Sequence, residues 1–217
     1  MHYKAVIFDL DGTLLDTLDD LHTACNYALA KNGIKERTKD EVRQFVGNGV
    51  KKLMERATDY KLSEAEFAKV FEDFKEYYGI HCNDKTKAYD GIYELLDSLK
   101  QKNMKMAIVS NKYLDAVVEL ADRYFGDYIK VAIGEHEGVN KKPAPDTVIM
   151  AAQKLEVDLK DCIYVGDSDV DFATAKNANI PCISCLWGFR DEEFLRSLGA
   201  VTFVKTPMDV IQILEKN

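Results

Sequence analysis

The sequence predicts an α/β fold: a parallel sheet covered by helices on both faces, with a helical segment inserted after the first strand. Three observations carry that reading. Short apolar runs without strict alternation recur along the chain, as strands buried on both faces require. Segments with helical spacing separate most of them, which implies βαβ units. Residues 15–84 break the alternation and hold only helical patterns.

The elements follow in chain order. "AVIF" (5–8) is the first strand, and it runs straight into "DLDGT". The inserted segment then reads "LDDLHTACNYALAKNG", "KDEVRQFVG", "VKKLMERATDY" and "SEAEFAKVFEDFKEYYG". Gly33 is the stop signal of the first of these helices, and Ser63 with Glu66 forms a capping box at the start of the last. All four prolines, at 143, 145, 181 and 207, lie outside the insert. Beyond it come strands at 105–110, 128–134, 162–166, 180–184 and 200–204, and helices at 91–102, 112–123, 145–155, 169–178 and 207–216. The arrangement is Rossmann-like, with residues 1–14 and 85–217 as the α/β core and 15–84 as a separate α-helical domain.

Composition narrows the function classes. The net charge of −8 argues against a nucleic-acid-binding surface, and no nucleic-acid partner is expected. No apolar run reaches the length of a membrane-spanning helix, so no membrane partner is expected either. "MHYKAVIFDLDG" is not a signal peptide, because its apolar run is too short and acids follow at once. A cytoplasmic protein is expected, with its five cysteines reduced. Cys182 and Cys185 form a C-x-x-C in "IPCISCLWG", read as small apolar residues of a buried strand rather than as a redox pair.

In an open parallel sheet, ligands bind beyond the carboxyl ends of the strands, and the polar residues of this chain gather there. The first strand delivers Asp9 and Asp11. The strand at 105–110 delivers Ser110 and Asn111, and the strand at 162–166 leads into "GDSDVD" with Asp167, Ser168, Asp169 and Asp171. The loop after 128–134 carries "NKKPAPD" with Lys141 and Lys142. Two carboxylates one residue apart are costly unless a cation compensates them. Oxygen ligands from Asp9, Asp11 and Asp167 suit Mg²⁺. A lysine and a serine hydroxyl suit phosphate oxygens, with backbone N–H groups of Gly12 and Asn111 as further donors. An aspartate can attack phosphorus, and a second carboxyl two residues on can move the proton. The chemistry is phosphoryl transfer.

Each motif alone is weak. D-x-D-G would equally mark a turn with surface acids, and "GDSDVD" a helix start with acids on its dipole. Four motifs in order, each at a strand end, are not explained that way. "DLDGT", "VSN", "KKP" and "GDSDVD" together resemble the four motifs of the haloacid dehalogenase-like phosphatase superfamily, over essentially the whole chain. The helical segment 15–84 is similar to the cap which that superfamily inserts after its first motif. The resemblance implies Asp9 as nucleophile and Asp11 as general acid/base. It implies Ser110, Asn111 and Lys142 as phosphate-binding residues and Asp167 as a metal ligand. The metal would also take the backbone carbonyl of Asp11. Asp171 would support the metal site or Lys142 from behind, and Asp169 is read as a solvated acid of the helix's first turn.

Substrate choice should rest on the cap. Residues 31–56 carry eight Lys/Arg against four Asp/Glu, and Arg43, Lys51 and Arg56 are candidates for a substrate carboxylate. "FVGNGVKKLMERA" adds Asn48 between two glycines ahead of a helix, where N–H groups can meet an anion. With "DLDGTLLDTLDDL" and "CLWGFR", this stretch resembles the phosphoglycolate phosphatase branch. The resemblance implies a small phosphorylated acid, 2-phosphoglycolate, as substrate. A phosphomutase of the β-phosphoglucomutase type, a pyrophosphatase on the same site and a non-catalytic interaction protein are the alternatives. A monomer or homodimer is expected.

Overall fold

The computed structural model describes residues 3–216; Met1, His2 and Asn217, which the sequence reading placed in the α/β core, lie outside them. In chain order the elements are β1 (Ala5–Phe8), β2 (Leu15–Asp16), α1 (Leu18–Lys31), α2 (Lys39–Phe45), α3 (Val50–Ala57) and α4 (Glu64–His81). Then come β3 (Lys87–Ala88), α5 (Ile92–Gln101), β4 (Lys105–Tyr113), α6 (Leu114–Phe125), β5 (Val131–Glu135) and α7 (Asp146–Leu155). The chain closes with β6 (Cys162–Gly166), α8 (Asp169–Asn177), β7 (Cys182–Cys185), α9 (Glu192–Ser197), β8 (Phe203–Val204) and α10 (Asp209–Lys216). Two compact units result: Met1–Leu14 with Ala88–Asn217, and Leu15–Lys87.

The larger unit is built on a six-stranded sheet in the order β5-β4-β1-β6-β7-β8. Every pairing is parallel. β1 sits between β4 and β6, so the chain winds away from it in both directions, and the strand order reverses at its carboxyl end. All four β1 residues are fully buried, which explains the unbroken apolar run. Alternate residues Ala5 and Ile7, Ala107 and Val109, and Cys162 and Tyr164 pack with Val148, Ala151, Ala152 and Leu155 of α7 and Ala175 of α8.

β4 departs from expectation. A helix was expected from 112, but the strand runs on through Tyr113 and α6 begins at Leu114. Its register against β5 shifts between Val109 and Tyr113, an irregularity that re-aims side chains. Ser110, Asn111 and Lys112 are all buried, as are Ala107, Ile108 and Val109 before them, because the sheet is covered on both faces. β2, β3 and α9 were not foreseen. Each is short, and β2 and β3 pair only with each other in a separate two-stranded sheet. β5, β7 and β8 begin two to three residues later than the apolar runs suggested.

The smaller unit is helical apart from its two-residue strands. α1 ends as Gly33 foretold: Gly33 N–H donates to Ala30 O and Ile34 N–H to Leu29 O, with φ at Gly33 of 69°. Ser63 and Glu66 form the expected capping box, and Thr38 with Glu41 forms another at α2. Asp73 of α4 is buried against the end of α1, where Lys31 Nζ (2.6 Å) and Asn32 Nδ2 (2.7 Å) hold it. Buried Asp20 of α1 accepts bonds from the Lys85 and Thr86 amides and from the Thr86 hydroxyl, fixing the end of the insert. Among the described residues no helix is long and apolar enough to cross a membrane.

Candidate active site

The carboxyl ends of β1, β4 and β6 bring the motif residues together. Asp9 follows β1 directly, and its amide donates to Val165 O of β6 at 2.9 Å, which holds the strand tips side by side. Asp9 Oδ1 accepts from the Leu10 amide (2.7 Å) and from Lys142 Nζ (2.8 Å). Among the described residues, no hydrogen bond is donated to Asp9 Oδ2.

Asp167 is fully buried, and its two oxygens are held separately. Thr13 Oγ1 donates to one at 3.1 Å and the Phe189 amide to the other at 2.7 Å. Glycine makes this possible. A Cβ on Gly12, where φ is +90°, would stand 2.6 Å from Asp167 Oδ2, and one on Gly188 would stand 2.3 Å from Asp167 Cβ. Neither glycine of "DLDG" and "LWGF" can therefore be replaced without moving the carboxylate.

Asp171 closes a buried network. Ser168 caps α8 by accepting from the Asp171 amide (3.3 Å), and in return its own amide (3.0 Å) and hydroxyl (2.5 Å) donate to Asp171 Oδ2. Lys142 Nζ (2.8 Å) and Tyr164 Oη (2.9 Å) donate to Oδ1. Four donors thus fill the four lone-pair positions of one carboxylate. Lys142 Nζ also donates to Tyr164 Oη at 3.1 Å, and Asn111 Nδ2 holds the Lys142 carbonyl at 3.0 Å. The lysine ammonium is thereby fixed between Asp9 and Asp171.

Burial and charge act on these groups in opposite directions. Burial, with the charge of Asp171 beside it, pushes the Asp9 carboxyl well above its usual value, and Lys142 only partly opposes this. The same two causes push Asp167 up to about 7, against the Phe189 and Thr13 bonds. Asp171 is also raised by burial, but Lys142, Ser168 and Tyr164 outweigh that and hold it below the usual carboxylate range. Burial disfavours the Lys142 ammonium, yet Asp171 and Asp9 keep it charged. Asp9 and Asp167 therefore hold protons more tightly than free carboxyls do, and positive charge beside them would favour their ionised forms.

Side-chain oxygens of Asp9, Asp167 and Asp171 lie within 4.8 Å of one another. Asp171 is saturated by its four donors, so Asp9 and Asp167 are the carboxylates with capacity for a cation. Hard oxygen donors that burial and neighbouring negative charge leave short of positive charge fit a divalent ion such as Mg²⁺, which would displace their protons. The Asp11 carboxylate is not in this cluster. It turns to β4, where Lys112 Nζ meets Oδ1 at 2.8 Å and Ser110 Oγ approaches Oδ2 at 3.4 Å.

The family model for haloacid dehalogenase-like hydrolases matches residues 6–185. The chain belongs to that family. A phosphoglycolate phosphatase of Aquifex aeolicus is 32% identical over 215 residues, covering 99% of this chain and 98% of the relative. An N-acetylmuramic acid 6-phosphate phosphatase of Pseudomonas aeruginosa is 26% identical, covering 100% and 96%. A crystal structure from Lactobacillus delbrueckii subsp. bulgaricus, provisionally assigned as a phosphoglycolate phosphatase, superposes with a TM-score of 0.94 at 37% identity, covering 97% of each chain. As a haloacid dehalogenase-like hydrolase, the protein carries an acidic cluster and a buried lysine suited to phosphoester hydrolysis.

Several site residues escaped the sequence reading. Tyr164 looked like one more apolar residue of "CIYVG", and Thr13 like part of a turn. Lys112 was assigned to a helix start. Asp169, expected to be a solvated acid, is only partly exposed and accepts from Arg190 Nε at 3.1 Å. Lys141 pairs with Glu135 at 3.5 Å on the surface. Cys182 and Cys185 lie on β7, and burial raises both thiols above their usual value.

In the helical unit Arg56 is engaged locally. Its guanidinium donates to Phe45 O (2.7 Å) and to Asn48 Oδ1 (2.7 Å), bracing the loop that carries Gly47 and Gly49 at φ of 118° and 84°. Arg43 is half-buried on α2, and Lys51 is exposed in the first turn of α3.

Proposed function

We propose that the protein is a Mg²⁺-dependent phosphatase acting on a small phosphate monoester whose leaving group carries a carboxylate, such as 2-phosphoglycolate. The observation that carries the reading is Asp9: a buried carboxylate with one oxygen gripped by Lys142 and the Leu10 amide and the other accepting nothing. Asp9 attacks phosphorus in line, and the ester oxygen leaves as the aspartyl-phosphate forms. Lys142 and the Ser110 hydroxyl meet the charge on the transferring oxygens, in a site fixed before the substrate arrives. Asp11 gives its proton to the departing oxygen and takes one from the water that then hydrolyses the Asp9 phosphate. Asp9, Asp167 and the Asp11 carbonyl would hold Mg²⁺, which when bound supplies positive charge against the phosphate and the two carboxylates. Asp171 and Tyr164 hold Lys142 in place, and Asn111 secures its backbone.

The similarity to relatives named phosphoglycolate phosphatase supports the substrate. The full-length similarity to the Pseudomonas aeruginosa enzyme favours a second reading, a sugar phosphate. Arg43, Asn48 and Lys51 remain the candidate leaving-group readers of the helical unit, with Arg56 as the brace of their loop. A cytoplasmic setting belongs to the same proposal. The test is phosphate release with and without Mg²⁺ over 2-phosphoglycolate, sugar phosphates, nucleoside monophosphates and pyrophosphate. The highest kcat/KM is expected for 2-phosphoglycolate. Mg²⁺-dependent release led by a sugar phosphate would select the second reading.

A further inference from the structure

Three cationic side chains are buried among the described residues: Lys112, Lys142 and Arg190. Lys142 stands between Asp9 and Asp171, and Arg190 meets Asp169. Lys112 has no part in the reaction as derived so far, yet it is 7% exposed and its ammonium lies 2.8 Å from Asp11. Burying an ammonium is costly, and a strand position needs no charge for packing.

The position is a built one. Ser110, Asn111 and Lys112 are all buried along the stretch where the register of β4 against β5 shifts. The Lys112 amide donates to Ser110 Oγ at 3.1 Å. On β5, Gly134 lets this backbone approach so closely that a Cβ there would stand 2.7 Å from Lys112 O and 2.6 Å from Leu114 Cα. Strand, neighbour and bend all fix where the lysine starts.

We propose that Lys112 reads an anionic group on the leaving side of the substrate, a carboxylate one methylene from the ester oxygen. This rests on the phosphatase reading above, in which Asp11 protonates that oxygen. A cation on the far oxygen of Asp11 then lies beside the departing group, while Lys142 and Ser110 serve the phosphoryl side. An ammonium has three rotatable donors and can join two carboxylates. Lys142 already does so between Asp9 and Asp171, at 2.8 Å to each. Lys112 joins Asp11 to the substrate in the same way. A neutral leaving group gains nothing from it.

The test compares 2-phosphoglycolate with its neutral analogue 2-phosphoglycolamide in the Mg²⁺-loaded wild type, Lys112→Met and Lys112→Arg. The wild type should favour the acid in kcat/KM by about 100-fold, the scale of a lost hydrogen bond to a charged group in a dry site. In Lys112→Met the acid loses its advantage: its rate falls towards that of the amide, and the acid-to-amide ratio collapses towards one. Lys112→Arg should keep a preference for the acid, reduced by at least about fivefold, because a planar fork does not reproduce a point charge. An unchanged ratio in Lys112→Met, or in Lys112→Arg if the first variant does not fold, overturns the proposal. A wild type that hydrolyses both substrates with no preference fails the carboxylate reading itself. That result is seen without any variant and so is distinct from a failure of Lys112.

Discussion

The strand tips of the α/β unit and the helices of the insert both carry many charges, and they handle them in opposite ways. At the strand tips, Asp9, Asp167, Asp171, Lys112 and Lys142 are buried, and Asp171 alone receives four hydrogen bonds. In the insert, Lys52 meets Glu55 at 2.8 Å, Lys39 meets Asp19 at 2.8 Å and Arg37 meets Asp59 at 2.9 Å, mostly in reach of water. Water makes the second kind of pair nearly free to form or lose. The first kind persists only where the fold enforces it. Asp20 and Asp73 of the insert are also buried and held by several donors, so burial alone is not the mark; the candidate site is where several buried charges of both signs crowd together.

The comparison breaks most sharply at Asp9. Asp9→Asn should lower turnover by about four orders of magnitude or more while the thermal unfolding midpoint stays near or above that of the wild type. Near-normal turnover in that variant would sink the nucleophile assignment. Lys142→Met comes next. It strands Asp9 and Asp171 without their cation, and denaturant unfolding should show a loss of about 3 kcal/mol along with most activity.

Metal and pH sharpen the same contrast. Asp167 titrates at about 7 in the folded chain against a usual 3.8, and Asp9 is raised as well. In that interval the folded chain binds more protons than the unfolded one. The contribution of Asp167 to stability is therefore full below about pH 4 and is lost as pH rises through 7 in the metal-free protein. Mg²⁺ competes with those protons. The rise in Tm on adding saturating Mg²⁺ should be several degrees larger at pH 8 than at pH 5.5, by about the ratio expected from linkage. An equal rise at both values would show that the ion binds elsewhere.

Tyr164→Phe should have a smaller effect. It removes one donor to Asp171 and one acceptor for Lys142, which is worth about 1–2 kcal/mol of stability. Smallest of all is Lys52→Ala on the insert, expected within about 0.5 kcal/mol of wild type because its own ammonium is exposed and its partner is a half-buried neighbour on the same helix. A large loss there would erase the distinction between the two regions.

The same physics explains what could be read in the sequence. A parallel sheet sends its strand ends to one edge, so "DLDGT", "VSN" and "GDSDVD" pointed both to the strands and to the candidate site. "KKP" followed because its lysine had to reach that edge. What stayed hidden depends on direction rather than on residue type. Lys112 sits where a helix was expected, on a strand that runs on through Tyr113 and buries it beside Asp11. Tyr164 is apolar by pattern, and its hydroxyl matters because Lys142 and Asp171 arrive from elsewhere in the chain. In the insert, Arg56 looked free to meet a substrate but is engaged by Phe45 and Asn48, eleven and eight residues before it. A charge count such as the surplus over residues 31–56 does not separate a braced loop from a binding surface.

The central claim is that Asp9 carries the phosphoryl group. The direct measurement is acid quench of the wild type within its first turnovers on 2-phosphoglycolate, followed by reduction with tritiated borohydride, which displaces the phosphate and leaves tritium on the reduced side chain, and peptide mapping. The expected result is tritium on the peptide containing Asp9, with that residue converted to homoserine. Steady phosphate release with no covalent label at any time, or label on another residue, would contradict it.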